Sequence, residues 1–355
     1  MNQMIDRLIT FSIKNKILIG FFTIALVVWG VYSFRQIPID AVPDITTNQV
    51  QIITQSPTLA TQEVEQFITF PIEMSMANVP DVTEIRSISR FGLSVITVVF
   101  EDDVNIHLAR QLISEQLKIA EADIPDQFGR PELGPITTGL GEVYQYVLRA
   151  EEGFDSIYGS MELRTINDWI VKRQLAGTPG VIEVSGWGGH LKQYEVAVHP
   201  EKLNSHNITI QDVFEALQAN NENSGGSYIE KRFNTYFLRG EGLVKSLEDI
   251  GKIAVANRGG FPILIRDVAE VRFGHAPRYG AITWNGKGEV VGGQALMLKG
   301  ENSYNVVTAI KERMEDIQKS LPEGVVIEPF IDRSELISRA IGTVKTNLIE
   351  GGLIV

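Results

Sequence analysis

The stretches "NVPDVTEI" (residues 78–85) and "GTPGVIEV" (residues 177–184) say the same thing twice. Each is a turn containing a proline, followed by V-x-E, and each separates a helical pattern from a strand pattern. Proline lacks an amide donor and clashes with the preceding helical turn, so a helix stops there, and the β-branched residues that follow favour an extended chain. Around the first stretch, "NQVQIIT" reads as a strand and "TQEVEQFITFPIEMSMANVPD" as a helix. "VTEIRSIS" and "LSVITVVF" read as strands joined near Gly92, and "VNIHLARQLISEQLKIAEA" as a second amphipathic helix. The order is β-α-β-β-α, which one more strand completes as a split βαβ unit.

Around the second stretch the pattern returns. "VYQYVLRA" reads as a strand, "SMELRTINDWIVKRQLAGTPG" as a helix, and "VIEVSGWG" and "KQYEVAVHP" as paired strands before the helix "TIQDVFEALQANN". Recurrence after about a hundred residues points to a duplicated unit. "PILIRDVAEVRF", "EVVGGQALMLKG", "NSYNVVTAIKERMEDIQKSL" and "GVVIEPFI" supply the elements to complete it, and about 200–275 is left over as an insertion. At the tip of the insertion, "ANNENSGGSYIEKRFNTYFLRGEG" reads as a long loop entering a hairpin strand, either a plain surface loop or a protruding arm that grips another subunit.

Ahead of the repeats, Ile17 to Phe34 run for eighteen residues without a charge, about 27 Å as a helix and close to the hydrocarbon thickness of a bilayer. Arg7, Lys14 and Lys16 precede the run, whereas Asp40 and Asp44 follow it after a single Arg35, which places the N-terminus in the cytoplasm. Trp29 and Tyr32 suit the far interface. A buried core helix would seldom run so far without a charge, and "SFRQIP" offers no cleavage site of a signal peptide. In "IPIDAVPDIT" (residues 37–46), Pro38 and Pro43 forbid the helix to continue, which makes a stiff lead into an extracytoplasmic body. Asp40 and Asp44 read as solvated turn formers rather than a metal pair. At the other end, "SELISRAIGTVKTNLIEGGLIV" reads as a helix approaching a second apolar segment, so the chain reads as an N-terminal fragment.

With 355 residues, 44% of them hydrophobic, the chain can fill two or more real cores beyond the apolar segment. A net charge of -12 without a basic run argues against nucleic acid. The absence of cysteine excludes disulfides and thiolate metal sites. No G-x-S-x-G, H-E-x-x-H or P-loop occurs, and Gly139 and Gly141 lead into a strand without the third glycine of a dinucleotide loop. His107, His190, His199, His206 and His275 show no ligand-like spacing, and Met74 and Met76 read as core filling rather than soft-metal ligands.

"PIDAVPD" after the first apolar segment, "FEDD" closing a strand, "ELGPITTGLGEVYQY" and "DRSELISRAI" come in an order and spacing that resemble the heavy-metal efflux branch of the resistance-nodulation-division pumps over essentially the whole chain. The resemblance implies an α+β membrane protein. It would have a transmembrane helix within residues 1–36, a first porter subdomain of ferredoxin-like type at 37–135, and a second at 136–180 and 276–333. An inserted docking subdomain with a protruding arm would occupy 181–275, and 334–355 would begin a second transmembrane helix.

By the same resemblance the protein is a proton-driven antiporter of the bacterial inner membrane rather than an enzyme. It would be a homotrimer, with most of this chain in the periplasm, working with a periplasmic membrane-fusion adaptor and an outer-membrane channel protein. No cofactor is implied; the cargo is a metal ion. Divalent-cation exporters of the branch carry a carboxylate at the place of Glu142, and Pro277 stands where copper and silver pumps have a relay methionine. The expected cargo is therefore zinc, cobalt or cadmium, with Glu142 a metal ligand and the proton-relay carboxylates beyond Val355. A membrane-anchored periplasmic adaptor or structural protein without transport is the alternative, and a membrane-anchored periplasmic enzyme is disfavoured by the missing catalytic set.

Overall fold

The computed structural model of the chain describes residues 10–34, 45–278 and 280–354. Residues 37–44 of the acidic strap, with Asp40 and Asp44, lie outside the described residues, as do Arg7 and Arg35. The apolar run forms helix α1 (Lys16–Phe34). Among the described residues, no helix meets the combined requirement of length and hydropathy for crossing a membrane. Its side chains nonetheless lie open, with Ile17 92% and Trp29 72% exposed.

The first unit is built from β1 (Gln49–Gln55), β2 (Val82–Arg90), β3 (Leu93–Phe100) and the short β4 (Pro131–Leu133). Their order in the sheet is β2-β3-β1-β4, antiparallel throughout. Two helices cover it. α2 runs through Thr61–Val64, a π-helical turn at Glu65–Thr69 and Phe70–Met76, and α3 spans Ile106–Glu121 with Asn105 accepting from the His107 amide at its start. β1 alternates half-buried and buried residues, as a strand with one face on a core must. Ile52, Ile96 and Val98 of the sheet meet Ile68, Ile72, Met76, Ile113 and Leu117 of the helices. Met76 is therefore core filling as expected, whereas Met74 is exposed.

The second unit repeats this plan. β5 (Glu142–Ala150) is followed by α4, which runs through Ser160–Ile166, a π-helical turn at Asn167–Val171 and Lys172–Leu175. Next come β6 (Val181–Trp187), the insertion, β14 (Glu289–Met297), helix α9 (Ser303–Ser320) and β15 (Val325–Asp332). β6 pairs with β14, β14 with β5 and β5 with β15, the same order as in the first sheet. Both π turns turn a polar residue inward: Thr69 bonds Ser89 and Ser94, and Asn167 accepts from the Tyr146 hydroxyl at 2.8 Å. The widened turn is thus held open by hydrogen bonds to the sheet beneath it. In β14, Gly293 lies opposite Tyr146 and Gly292 opposite Trp187. A Cβ at either glycine would overlap the facing ring, so small-against-aromatic pairs pin the register on both sides of this strand.

Two expectations are corrected here. "VIEVSGWG" does not pair with "KQYEVAVHP"; β6 joins the second sheet, and β7 (Lys192–Val198) pairs with β12 (Ala269–His275) instead. The boundary at 181 therefore falls too early. "PILIRDVAEVRF" is likewise part of the insertion, as β11 (Phe261–Leu264), the short helix α8 (Ile265–Val268) and β12.

The insertion leaves and re-enters through the β7–β12 ladder, and between these strands lie α5 (Pro200–Ser205), α6 (Ile210–Ala219), α7 (Leu247–Gly251) and β10 (Ala254–Arg258). A reciprocal cap of Thr209 and Asp212 starts α6, and Leu203, Val213, Ile263 and Val268 form a small core. The tip is a hairpin of β8 (Ser224–Lys231) and β9 (Asn234–Gly240), and every residue of both strands is exposed. β13 (Ile282–Thr283) completes the edge of the second sheet, and α10 (Arg333–Ile354) follows β15 directly.

Candidate functional site

Residues 134–141 join the two sheets, and their backbone groups are claimed from several directions. The Gly134 amide donates to Gln51, and its carbonyl accepts from Arg110 Nη1 at 2.5 Å. The Ile136 carbonyl accepts from the Lys299 amide, and Thr137 Oγ1 donates to the Met297 carbonyl at 2.9 Å. The Gly139 amide donates to Thr46 Oγ1, the Leu140 carbonyl accepts from Arg333 Nη1 at 2.6 Å, and the Gly141 carbonyl accepts from the Met297 amide. Gly141 must be glycine because a Cβ there would overlap Thr137. The loop is thereby tied to the first unit, the second unit and the start of α10 at once.

Glu142 is the next residue. It opens β5, it is exposed, and its Oε2 accepts from Gln145 Nε2 at 2.9 Å. Gln294 is the neighbour of that amide across the sheet. The structure thus places Glu142 at the junction of the two units, with Gln145 as the partner of its Oε2. Among the described residues no three His, Asp or Glu side chains converge in the manner of a metal site. Glu142 would need partners other than these. Pro277 is not brought to it: the ion pair of Arg278 with Glu289 holds that segment at the far end of β14 from Leu296, which faces Glu142. Seven residues of strand separate the two, roughly 23 Å at about 3.3 Å per residue.

A part-buried carboxylate, Asp332, stands behind the junction with an exposed lysine as its partner. Asp332 pairs in register with Tyr144, and it accepts from Lys311 Nζ and the Ser334 amide at 2.7 and 2.8 Å. Burial works to raise the Asp332 carboxyl, but the hydrogen bonds from Lys311 and Ser334 outweigh it and hold it below its ordinary value. The Tyr144 phenol is pushed up to about 12, by burial first and then by Asp332. A depressed carboxylate stabilises the fold above its unfolded value of 3.8, and that stability is lost as pH falls through the lower folded value. Asp332→Asn should therefore cost on the order of 1 kcal/mol at pH 7, where solvent screens the half-exposed Lys311, and less at pH 3, read from urea midpoints at both pH values. An equal loss at both would refute the charge assignment.

Sequence spacing did not signal one further pair, His190 and His275, whose rings the β7–β12 ladder brings to 4.4 Å between centroids.

The sequence profile of the AcrB/AcrD/AcrF family matches residues 8–355. The chain is 44% identical to the cobalt-zinc-cadmium resistance protein CzcA of Cupriavidus metallidurans, over 99% of its own length and 33% of that protein. It is 36% identical to the cation efflux system protein CusA of Escherichia coli K12, over 99% of its own length and 33% of that protein. It spans about a third of the length of the curated relatives it matches. A solved structure of a heavy metal efflux pump superposes with a TM-score of 0.86 at 31% identity, covering 98% of this chain and 34% of that one. Duplicated split βαβ units with the same strand order, the inserted unit and these likenesses agree: the chain belongs to the AcrB/AcrD/AcrF family of resistance-nodulation-division proteins, in its heavy-metal efflux branch.

Proposed function

We propose that this chain is part of a proton-driven pump that exports divalent heavy-metal cations, zinc, cobalt or cadmium, across the cell envelope. The observation that carries the reading is the fold itself, which follows a solved heavy metal efflux pump over 98% of the chain. The multiply tied loop ahead of Glu142 joins the two sheet units, and a cargo site between them would lie beside it. An oxygen ligand there suits a hard or borderline divalent ion, and this stretch of the protein has no cysteine to favour Cu(I) or Ag(I). The apolar run from Ile17 to Phe34, uncharged and with Ile17 and Trp29 exposed, would be the segment held in the inner membrane. The two sheet units and the insertion would then be periplasmic, with the insertion meeting the adaptor and outer-membrane channel and three copies forming the pump.

The test is resistance. The complete coding sequence that carries this chain, expressed in a host stripped of its own metal exporters, should raise the tolerated zinc, cobalt or cadmium several-fold and leave copper and silver tolerance unchanged. Protection against copper and silver alone would overturn the divalent assignment, and no protection against any metal would overturn the export reading.

A further inference from the structure

His190 and His275 occupy the neck of the insertion. His190 follows β6 and precedes β7, and His275 ends β12; beside them the Ala276 amide donates to the Leu191 carbonyl at 3.1 Å. The two strands that lead into and out of the insertion thus each carry one histidine at the same level, with ring centroids 4.4 Å apart and planes inclined by 54°. Each ring is anchored through Nδ1. Ser160 Oγ on α4 lies 2.8 Å from His190 Nδ1, and His275 Nδ1 faces the Ala276 carbonyl at 3.2 Å, which requires a proton on that nitrogen. Among the described residues neither Nε2 makes a hydrogen bond. Metal-bound histidines are held in this way, one ring nitrogen donating to an oxygen partner, and His190 matches the pattern in the tautomer whose Nδ1 donates to Ser160 Oγ.

The spacing agrees. Two imidazoles that bind one tetrahedral zinc at about 2.0–2.1 Å have ring centres roughly 5 Å apart, so a sub-ångström parting of this pair would admit the ion. A cavity of about 460 Å³ lies alongside, lined by the chain neighbours Gly189, Leu191 and Ala276 and by Arg164 and Arg278, while neither histidine is part of its wall. The charges around it are largely spent on one another. Arg164 on α4 pairs with Asp168 and donates to the Gly188 carbonyl, Arg278 pairs with Glu289, and Lys192 lies over the Phe273 ring at 4.1 Å. We propose that His190 and His275 form a two-imidazole clasp for a borderline divalent cation such as Zn²⁺, Co²⁺ or Ni²⁺, at the neck between the second sheet and the insertion. Two protein ligands leave the remaining positions to water, so occupancy is reversible, and a bound ion would stiffen the neck by joining its two strands. The clasp is separate from Glu142 and stands whether or not that residue touches cargo.

Zinc binding to the purified, untagged protein in detergent tests it, by titration calorimetry at pH 7.5. The parent and Glu142→Ala should share one site that the double variant His190→Gln/His275→Gln weakens at least tenfold. Unchanged zinc binding in the double variant, or loss of the site in Glu142→Ala, would overturn the clasp. Should the double variant fail to fold, diethyl pyrocarbonate labelling of the unmutated protein decides the matter. Zinc should protect His190 and His275 while His107, His199 and His206 label as before, and equal labelling of all five with and without zinc would refute it.

Discussion

Glu142→Ala should abolish the zinc or cobalt resistance conferred by the complete protein, at unchanged expression. Glu142 is exposed and its one hydrogen bond is to the side chain of Gln145, so its removal leaves no buried group unpaired and the fold should lose under about 0.5 kcal/mol. Any large effect must then come from the carboxylate's dealings with something outside the fold. A direct oxygen ligand removed from a cation site costs at least a factor of ten in affinity, about 1.4 kcal/mol, and cargo that binds weakly during a transport cycle is exported in proportion. Glu142→Gln sharpens the comparison, because the amide still reaches Gln145 while the negative charge is gone. If the charge binds metal, both substitutions fail alike. If Glu142 merely orders the start of β5, the glutamine variant works and the alanine variant nearly so, and the ligand assignment falls.

That Glu142 stands at the junction of two units could be read from the chain, because the repeat itself marks where one unit ends and the next begins. V-x-E after a proline turn occurs at 82–84 and at 181–183, and in the structure both lead into strands that occupy the same place in their sheets, β2 and β6. What the pattern could not supply was β6's partner. Alternation tells that a segment is a strand and which face it buries, but pairing depends on what returns to it in space, and neighbours in sequence are the default guess. Here β7 follows β6 closely yet belongs to the insertion, while the true partner β14 arrives after the whole insertion has been built. Gly188 and Gly189, both with positive φ, turn the chain out of the sheet at that point.

The histidine pair escaped notice for the same reason. Helical metal motifs are legible because i and i+4 are neighbours by local geometry. His190 and His275 meet through a ladder closed across the full insertion, and no spacing rule covers such a contact. Equally, Glu142 and Pro277 both lie close to the repeat boundaries in the sequence, yet the length of β14 holds their surroundings apart. Closeness along a chain and closeness in a sheet are different quantities once a strand is nine residues long.

Removing the β8–β9 hairpin should dissociate the proposed trimer. An isolated two-stranded hairpin is marginal in water, and this one carries its apolar residues in the open: Phe233 is fully exposed, Phe237 is 84% exposed, and Tyr228, Ile229 and Tyr236 are each about half exposed. Its turn is costly as well, because Arg232 sits at φ 59°, where a side chain is disfavoured. A segment like this persists when something covers it, and a groove on a second copy would bury several aromatic anchors at once. Two such anchors at about 2 kcal/mol each amount to about 4 kcal/mol, roughly a thousandfold in association. The cut can be made cleanly. Asn223 Oδ1 accepts from the Gly242 amide and Asn221 Oδ1 from the Val244 amide, so the two legs are tied together below the hairpin. Replacing residues 225–239 by a short Gly-Ser turn keeps these ties and the core of Leu203, Val213 and Ile263. Native mass spectrometry of the complete protein should then show monomers where the parent shows trimers, at unchanged thermal stability of the insertion. Trimers of undiminished strength would mean that the hairpin grips no neighbouring copy, and its exposed aromatics would have to serve a different partner.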